Sequence, residues 1–315
     1  MIRTEICDIV GIEYPLFQGG MAWISEANLA AAVSNAGGLG IIAAGNADAA
    51  YVRAQIRACK QRTDKPFGVN VMLLSPHVDE VAQVICEERV AVVTTGAGLP
   101  GKWMKGWIDA CVKVIPVVPS VAIAKRVQRD GAAAVIAEGT ESGGHVGELT
   151  TMALVPQIVD AVEIPVIAAG GIADGRGIAA SFMLGARGVQ IGTRFLCAEE
   201  CTVHPNYKEK ILKARDIETI VTGRRLGHPV RTLKNPFSRE LFEKEYDAGV
   251  SNEQLEQMGV GTLRRAAVDG DVEGGSFCAG QVASMVNKIQ PASEIIREMM
   301  EGARQRLTEV SLWTK

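Results

Sequence analysis

Eight short apolar segments recur along the first two thirds of the chain, and no other feature constrains its fold as strongly. They are Pro15 to Gln18, Leu39 to Ala44, Phe67 to Leu73, Val90 to Gly96, Val114 to Ser120, Ala133 to Gly139, Pro165 to Gly171 and Gly188 to Phe195. Each is followed by a stretch of helical length. Runs such as Val114-Ile115-Pro116-Val117-Val118 and Pro165-Val166-Ile167-Ala168-Ala169 show no apolar/polar alternation, which marks strands buried on both faces. Helices wrapped around a parallel sheet meet that requirement, so the expected fold is α/β, a (β/α)8 TIM barrel.

The period stops near Phe195. Residues 1–200 therefore read as the barrel and residues 201–315 as an appended, mainly helical region packed on it. Within that region, Cys201 to Gly261 carries Pro205, Pro229 and Pro236 among charged helical stretches, and is expected to lie over one barrel end. Glu294 to Leu312 reads as a closing amphipathic helix. Inside the barrel, Ser120 before Val121 and Gly131 after Asp130 are the start and stop signals of an ordinary helix.

With 33 basic against 36 acidic residues and a formal charge of −3, the chain offers no overall field for a polyanion, so nucleic acid is not an expected partner. No run approaches the roughly 18 apolar residues of a membrane span. The first residues, Met1-Ile2-Arg3-Thr4-Glu5-Ile6-Cys7-Asp8, have no apolar signal core, and a cytoplasmic location is expected. Seven cysteines without a C-x-x-C pair suit a reducing compartment. Cys197 and Cys201 lack Cys or His partners at metal spacing, so no metal site is expected.

In barrels of this kind, chemistry sits where the strands end, and phosphate is usually held by the last two βα loops. Gly170-Gly171 and Gly192-Thr193 stand at those two loops. Their backbone N–H groups, a hydroxyl and the following helix N-terminus make a cradle for an anion. Asp174 reads as the cap of the next helix, since a carboxylate would repel a phosphate. The G-x-G-x-x-G match at Gly96 to Gly101 is set aside: the next strand ends in Val118-Pro119-Ser120, without the acid a dinucleotide fold places there.

The loop after the sixth strand, Glu138-Gly139-Thr140-Glu141-Ser142-Gly143-Gly144-His145-Val146-Gly147, puts an imidazole among flexible glycines at the same end. His145 is the candidate catalytic residue, able to donate to a substrate oxygen near neutral pH. Gln18-Gly19-Gly20-Met21, Asn70 and Thr95-Gly96 fall on the same rim. Together these positions outline a pocket for a planar polar ring with a phosphate tail, a description that fits flavin mononucleotide (FMN).

Gln18-Gly19-Gly20-Met21-Ala22-Trp23, Phe67-Gly68-Val69-Asn70-Val71-Met72-Leu73, Gly143-Gly144-His145, Ala168-Ala169-Gly170-Gly171-Ile172-Ala173-Asp174-Gly175 and Gln190-Ile191-Gly192-Thr193-Arg194-Phe195 resemble the FMN-dependent enoyl-acyl-carrier-protein reductase II group, a relative of the nitronate monooxygenases. The likeness runs essentially the whole length, including Gly274-Gly275-Ser276 and Ala279-Gly280-Gln281. It implies reduction of trans-2-enoyl thioesters by NADH or NADPH in bacterial fatty-acid elongation, with hydride relayed through flavin N5. It also implies that Gly170, Gly171, Gly192 and Thr193 hold the FMN phosphate. Gly20, Met21, Asn70 and Glu138 would meet the ring or ribityl chain, Ser276 and Gln281 would close the site, and His145 would be catalytic. The implied partner is acyl carrier protein, and a homodimer is the expected assembly. Arg224, Arg225, Arg231, Lys234 and Arg239 lie in a stretch with no acid between Thr219 and Arg239, and read as a surface that steers the anionic carrier.

The alternative is a nitronate monooxygenase using the same FMN and histidine. A barrel of the inosine-monophosphate-dehydrogenase type would need a nucleophilic cysteine on the loop after the sixth strand, and that loop has none. A flavin-binding protein without turnover is the remaining reading.

Overall fold

The computed structural model describes residues 2–313. Eight parallel strands form the barrel: β1 (Leu16–Gln18), β2 (Ile41–Ala43), β3 (Gly68–Met72), β4 (Val92–Gly96), β5 (Lys113–Val118), β6 (Val135–Glu138), β8 (Val166–Ala169) and β9 (Gly188–Ile191). A two-residue strand, β7 (Gly144–His145), lies in the loop between β6 and β8. Neighbours pair in the order β1-β9-β8-β6-β5-β4-β3-β2, and a parallel bridge from Phe17 to Leu39 closes the ring.

The unbroken apolar runs follow from two separate cores. Phe17, Ile41, Val92, Ile115, Ile136, Ile167 and Ala169 fill the lumen. Val69, Val71, Val93, Val114, Val135, Val166 and Val189 face outward and join the larger cluster that includes Val52, Ile56, Val84, Ile85 and Trp107 from the surrounding helices. Helix Glu5–Val10 adds Ile6, Cys7 and Val10 to the lumen cluster and so plugs the end where the strands begin. The end where the strands finish is left as the open mouth.

Side chains alternate along a strand. Two residues above the apolar lumen layer, the inward positions are therefore Asn70, Thr94, Glu138 and Gln190. Asn70 and Thr94 are register partners, and Asn70 Nδ2 donates to Thr94 Oγ1 at 3.0 Å. The floor of the mouth is polar where the rest of the lumen is oily.

Helix boundaries follow local chemistry. Ser120 caps helix Val121–Arg129 by accepting from the Ile123 amide, and Gly131 takes φ +98° beyond its end. Asp174 caps helix Gly175–Met183 by accepting from the Arg176 amide at 2.8 Å. The Gly96 to Gly101 motif is an ordinary strand-to-helix turn: β4 ends at Gly96 and helix Gly101–Asp109 begins after Pro100.

The appended region is mainly helical, with helices Pro205–Leu212, Pro236–Glu245 and Asn252–Gly259 and the long closing helix Ala292–Ser311. It also contains an antiparallel hairpin, β10 (Thr219–Thr222) and β11 (Val230–Leu233), in place of the helical excursion expected there. β11 pairs in turn with β7. The excursion is thus stitched into the loop after β6.

Candidate active site

The left-handed backbone at Gly170 (φ +88°) and Gly171 (φ +74°) turns the chain sharply after β8. A side chain could not follow: a Cβ on Gly170 would lie 2.7 Å from the Gly139 carbonyl oxygen. The amides of Gly170, Gly171, Gly192 and Thr193 donate to no acceptor among the described residues. The three glycines are half-buried at the mouth, so these donors are neither paired nor fully solvated. Thr193 is buried, and its Oγ1 accepts the Gly280 amide at 2.9 Å, leaving the hydroxyl proton free to donate.

The remaining rim residues adjoin this cradle. A methyl on Gly192 would sit 3.7 Å from Met21 Sδ, and one on Gly20 would overlap Asn70 Cβ at 2.3 Å. Gln18 shapes that first loop from below: its Nε2 donates to Ser25 Oγ at 2.9 Å, and the Met21 amide donates to the same oxygen at 3.0 Å. Glu141 holds both the amide and hydroxyl of Thr151, with its backbone oxygen taking the Gln281 amide at 2.9 Å. Gln281 thereby meets the rim through its backbone, while its side chain is exposed. Ser276 stands apart, its hydroxyl donating to Thr262 Oγ1 at 2.8 Å.

His145 lies on β7 with Val230 opposite, at the solvent-exposed edge of the mouth. Surrounding protein still desolvates the ring, and with a smaller contribution from His228 this holds its pKa below the usual imidazole value. The ring is therefore neutral at pH 7. Glu138 is the opposite case. Its only hydrogen-bond partner among the described residues is Ser142 Oγ at 3.2 Å, and burial in the lumen pushes its pKa up to about 7.

That shift has a measurable consequence. A carboxyl raised from 4.5 to about 7 keeps its proton longer in the folded chain, so stability falls as pH rises across that window. The full deficit, about 3 kcal/mol at most, is present above pH 7. Glu138→Gln should raise the melting temperature of the apoprotein by about 5 °C at pH 8 and much less at pH 5. Equal shifts at both pH values, read by calorimetry, would contradict the assignment.

Sequence reasoning missed one residue of the mouth. Gln190 is 8% exposed, with no hydrogen-bond partner for its amide among the described residues, and it lies directly beneath Gly19. Alternation from Val189 inside a known strand could have found it. The basic stretch also needs correction. Arg225 is tied to the carbonyls of Asp247 and Val250 at 3.1 and 2.7 Å, and Lys234 to that of Ile217 at 2.7 Å. Arg231 is buried, and Glu245 sits under the hairpin turn, accepting from the Gly223 and Arg225 amides. At the hairpin tip, Arg224 and His228 remain exposed.

Fold and site define a TIM barrel with an anion cradle at its mouth, and its relatives make it an oxidoreductase. The nitronate monooxygenase family pattern matches residues 3–84 and 77–302, and the chain belongs to that family. It is 33% identical to (3aS,4S,5R,7aS)-5-hydroxy-7a-methyl-1-oxo-octahydro-1H-indene-4-carboxyl-CoA dehydrogenase of Mycobacterium tuberculosis, across 98% of each chain. It is 32% identical to a probable nitronate monooxygenase of Staphylococcus aureus, across 96% of this chain and 98% of the relative. The solved structure of FabK from Thermotoga maritima superposes with a TM-score of 0.97 at 50% identity, covering 99% of this chain and all of that one. Flavin dependence is general in these families. No helix among the described residues is long and apolar enough to cross a membrane.

Proposed function

We propose that this protein is an FMN-dependent reductase of trans-2-enoyl thioesters, drawing on NADH or NADPH and serving fatty-acid elongation with substrates borne on acyl carrier protein or coenzyme A. The observation that carries this reading is the 50% identity to FabK over 99% of the chain, against 32% for the nitronate monooxygenase relative. The M. tuberculosis relative, named for a carboxyl-CoA substrate, points to the same thioester chemistry.

The residues fit the cofactor. Four unpaired amides and the Thr193 hydroxyl converge where a phosphate dianion needs donors, at turns that a Cβ would block. Gly170, Gly171, Gly192 and Thr193 would hold that end. Gly20, Met21, Asn70, Glu138 and Gln190 would line the ring and ribityl chain, and the 279–281 strap would close over them, with Gln281 contributing through its backbone. Ser276 would act only indirectly, by anchoring that strap to Thr262. Bound there, FMN supplies the hydride exchange between a nicotinamide and the β carbon of the enoyl thioester.

As the β carbon gains hydride, negative charge moves to the thioester oxygen. His145, arriving neutral, donates an N–H hydrogen bond to that oxygen and stabilises the enolate. Protonation at the α carbon then comes from the water-connected mouth. The polar floor of Asn70, Thr94 and Gln190 would orient the ring, with Glu138 beside them titrating near pH 7.

The test is isotopic. With a deuterated nicotinamide and crotonyl thioester, the protein should yield butyryl thioester labelled at one position, and it should leave alkyl nitronates with oxygen nearly untouched. Preferred turnover of the nitronate, with no nicotinamide needed, would establish the second reading, which the family match favours. Arg224 tests the carrier. Arg224→Glu should raise KM for the carrier-linked substrate roughly threefold to tenfold at low salt, with the difference fading at high salt. An unchanged, salt-insensitive KM would remove Arg224 from any docking role.

A further inference from the structure

His145 is not held by the barrel itself. It occupies a loop containing Gly139, Gly143, Gly144 and Gly147, whose backbone freedom would scatter the imidazole if nothing restrained it. The restraint comes from the hairpin. Val230 pairs with His145, Arg231 pairs with Gly144, and the Val146 amide donates to the Pro229 carbonyl at 3.0 Å.

The Arg231 side chain completes the grip. Its Nε and Nη2 donate to the Thr140 carbonyl at 3.3 and 3.0 Å, and Nη1 donates to Thr219 Oγ1 at 3.0 Å. Thr140 is also where the loop closes on itself, its amide donating to the Leu149 carbonyl at 2.8 Å. Arg231 as a whole is 7% exposed, and its guanidinium forms no ion pair among the described residues; Glu141 and Arg224 act on it only from a distance. Burying an unpaired cation costs several kcal/mol, and an apolar side chain of similar volume would stabilise the same space better. Its value therefore lies in the geometry it fixes.

We infer that Arg231 is a positioning residue: by clamping the Thr140 carbonyl to the hairpin, it fixes the loop that presents His145 at the mouth. The inference rests on the reading of His145 as the substrate-facing donor, so its test separates the two. Arg231→Met should lower kcat for crotonyl-CoA reduction about tenfold to a hundredfold, with FMN content unchanged and KM for the nicotinamide within about twofold. In a His145→Ala background, the same change should add less than about twofold, because the two residues act through one another. Arg231→Lys, which offers a single point donor to the carbonyl, should recover part of the loss.

Histidine-detected NMR titration supplies a readout independent of turnover. In Arg231→Met or Arg231→Lys, the His145 ring should titrate closer to an ordinary imidazole as it gains water. Equal losses in both backgrounds, or an unmoved His145 titration, would overturn the inference. If His145→Ala alone proved harmless, the functional reading would fall, and the titration would still decide whether Arg231 positions the ring. Should Arg231→Met fail to fold, Arg231→Lys carries both measurements.

Discussion

His145→Ala should keep its FMN and lose about a hundredfold or more of its enoyl reduction rate, within the 10² to 10⁴ range typical of a positioned donor. The ring lies at the exposed edge of the mouth and is not one of the donors of the cradle, so its removal should leave cofactor binding intact. The sign of the pH dependence follows from its lowered pKa. A ring that is neutral at pH 7 works as a neutral donor, so kcat should stay flat from pH 7 upward and change only below the usual imidazole range. A decline as pH rises through 7 that persists in Glu138→Gln, whose own carboxyl otherwise titrates there, would mean that the protonated ring is the active form. A loss smaller than about tenfold in steady-state reduction would remove His145 from the chemistry.

Gly170→Ala should act on the cofactor instead. Alanine at φ +88° is strained by about 1 to 2 kcal/mol, and its methyl would meet the Gly139 carbonyl oxygen at 2.7 Å. The turn must move, and the amides of Gly170 and Gly171 move with it. Each charge-assisted hydrogen bond to phosphate lost in this way is worth about 1.5 to 3 kcal/mol, so FMN affinity should fall tenfold to a hundredfold or more. Riboflavin, which lacks the phosphate, should bind the variant and the natural apoprotein almost equally. Fluorescence titration with both ligands makes the comparison. A matching loss for riboflavin would show that the substitution damages the pocket generally and that the cradle does not hold an anion.

All eight strands were legible because burial on both faces leaves a continuous apolar run, and eight such runs recur with helical stretches between them. The turn at Gly170 and Gly171 was legible because left-handed backbone there favours glycine. The hairpin was not. Thr219–Thr222 and Val230–Leu233 are β-branched runs separated by Gly223 and Gly227, a hairpin signal in principle, but short and set among charges that read as a solvated helical surface. Arg225, Arg231 and Lys234 are bound to carbonyls from distant parts of the chain, and no local pattern announces such partners. The upward shift at Glu138 was equally hidden, since it depends on which face of β6 looks into the lumen and on the lack of a cation there. The proposed flavin was read from Gly20, Met21 and Asn70 on the rim together with the resemblance, because the glycines alone specify an anion and leave its attached group open.

The central claim is that this mouth holds a redox-active flavin which passes reducing equivalents from a nicotinamide to an enoyl thioester. An anaerobic absorption spectrum of the purified protein tests it in one sequence of additions. The protein should be yellow, bleach with NADH or NADPH, and regain its colour when crotonyl-CoA is added without oxygen. A colourless protein that takes up no FMN, or a bleached one whose colour returns only with oxygen, would contradict the account.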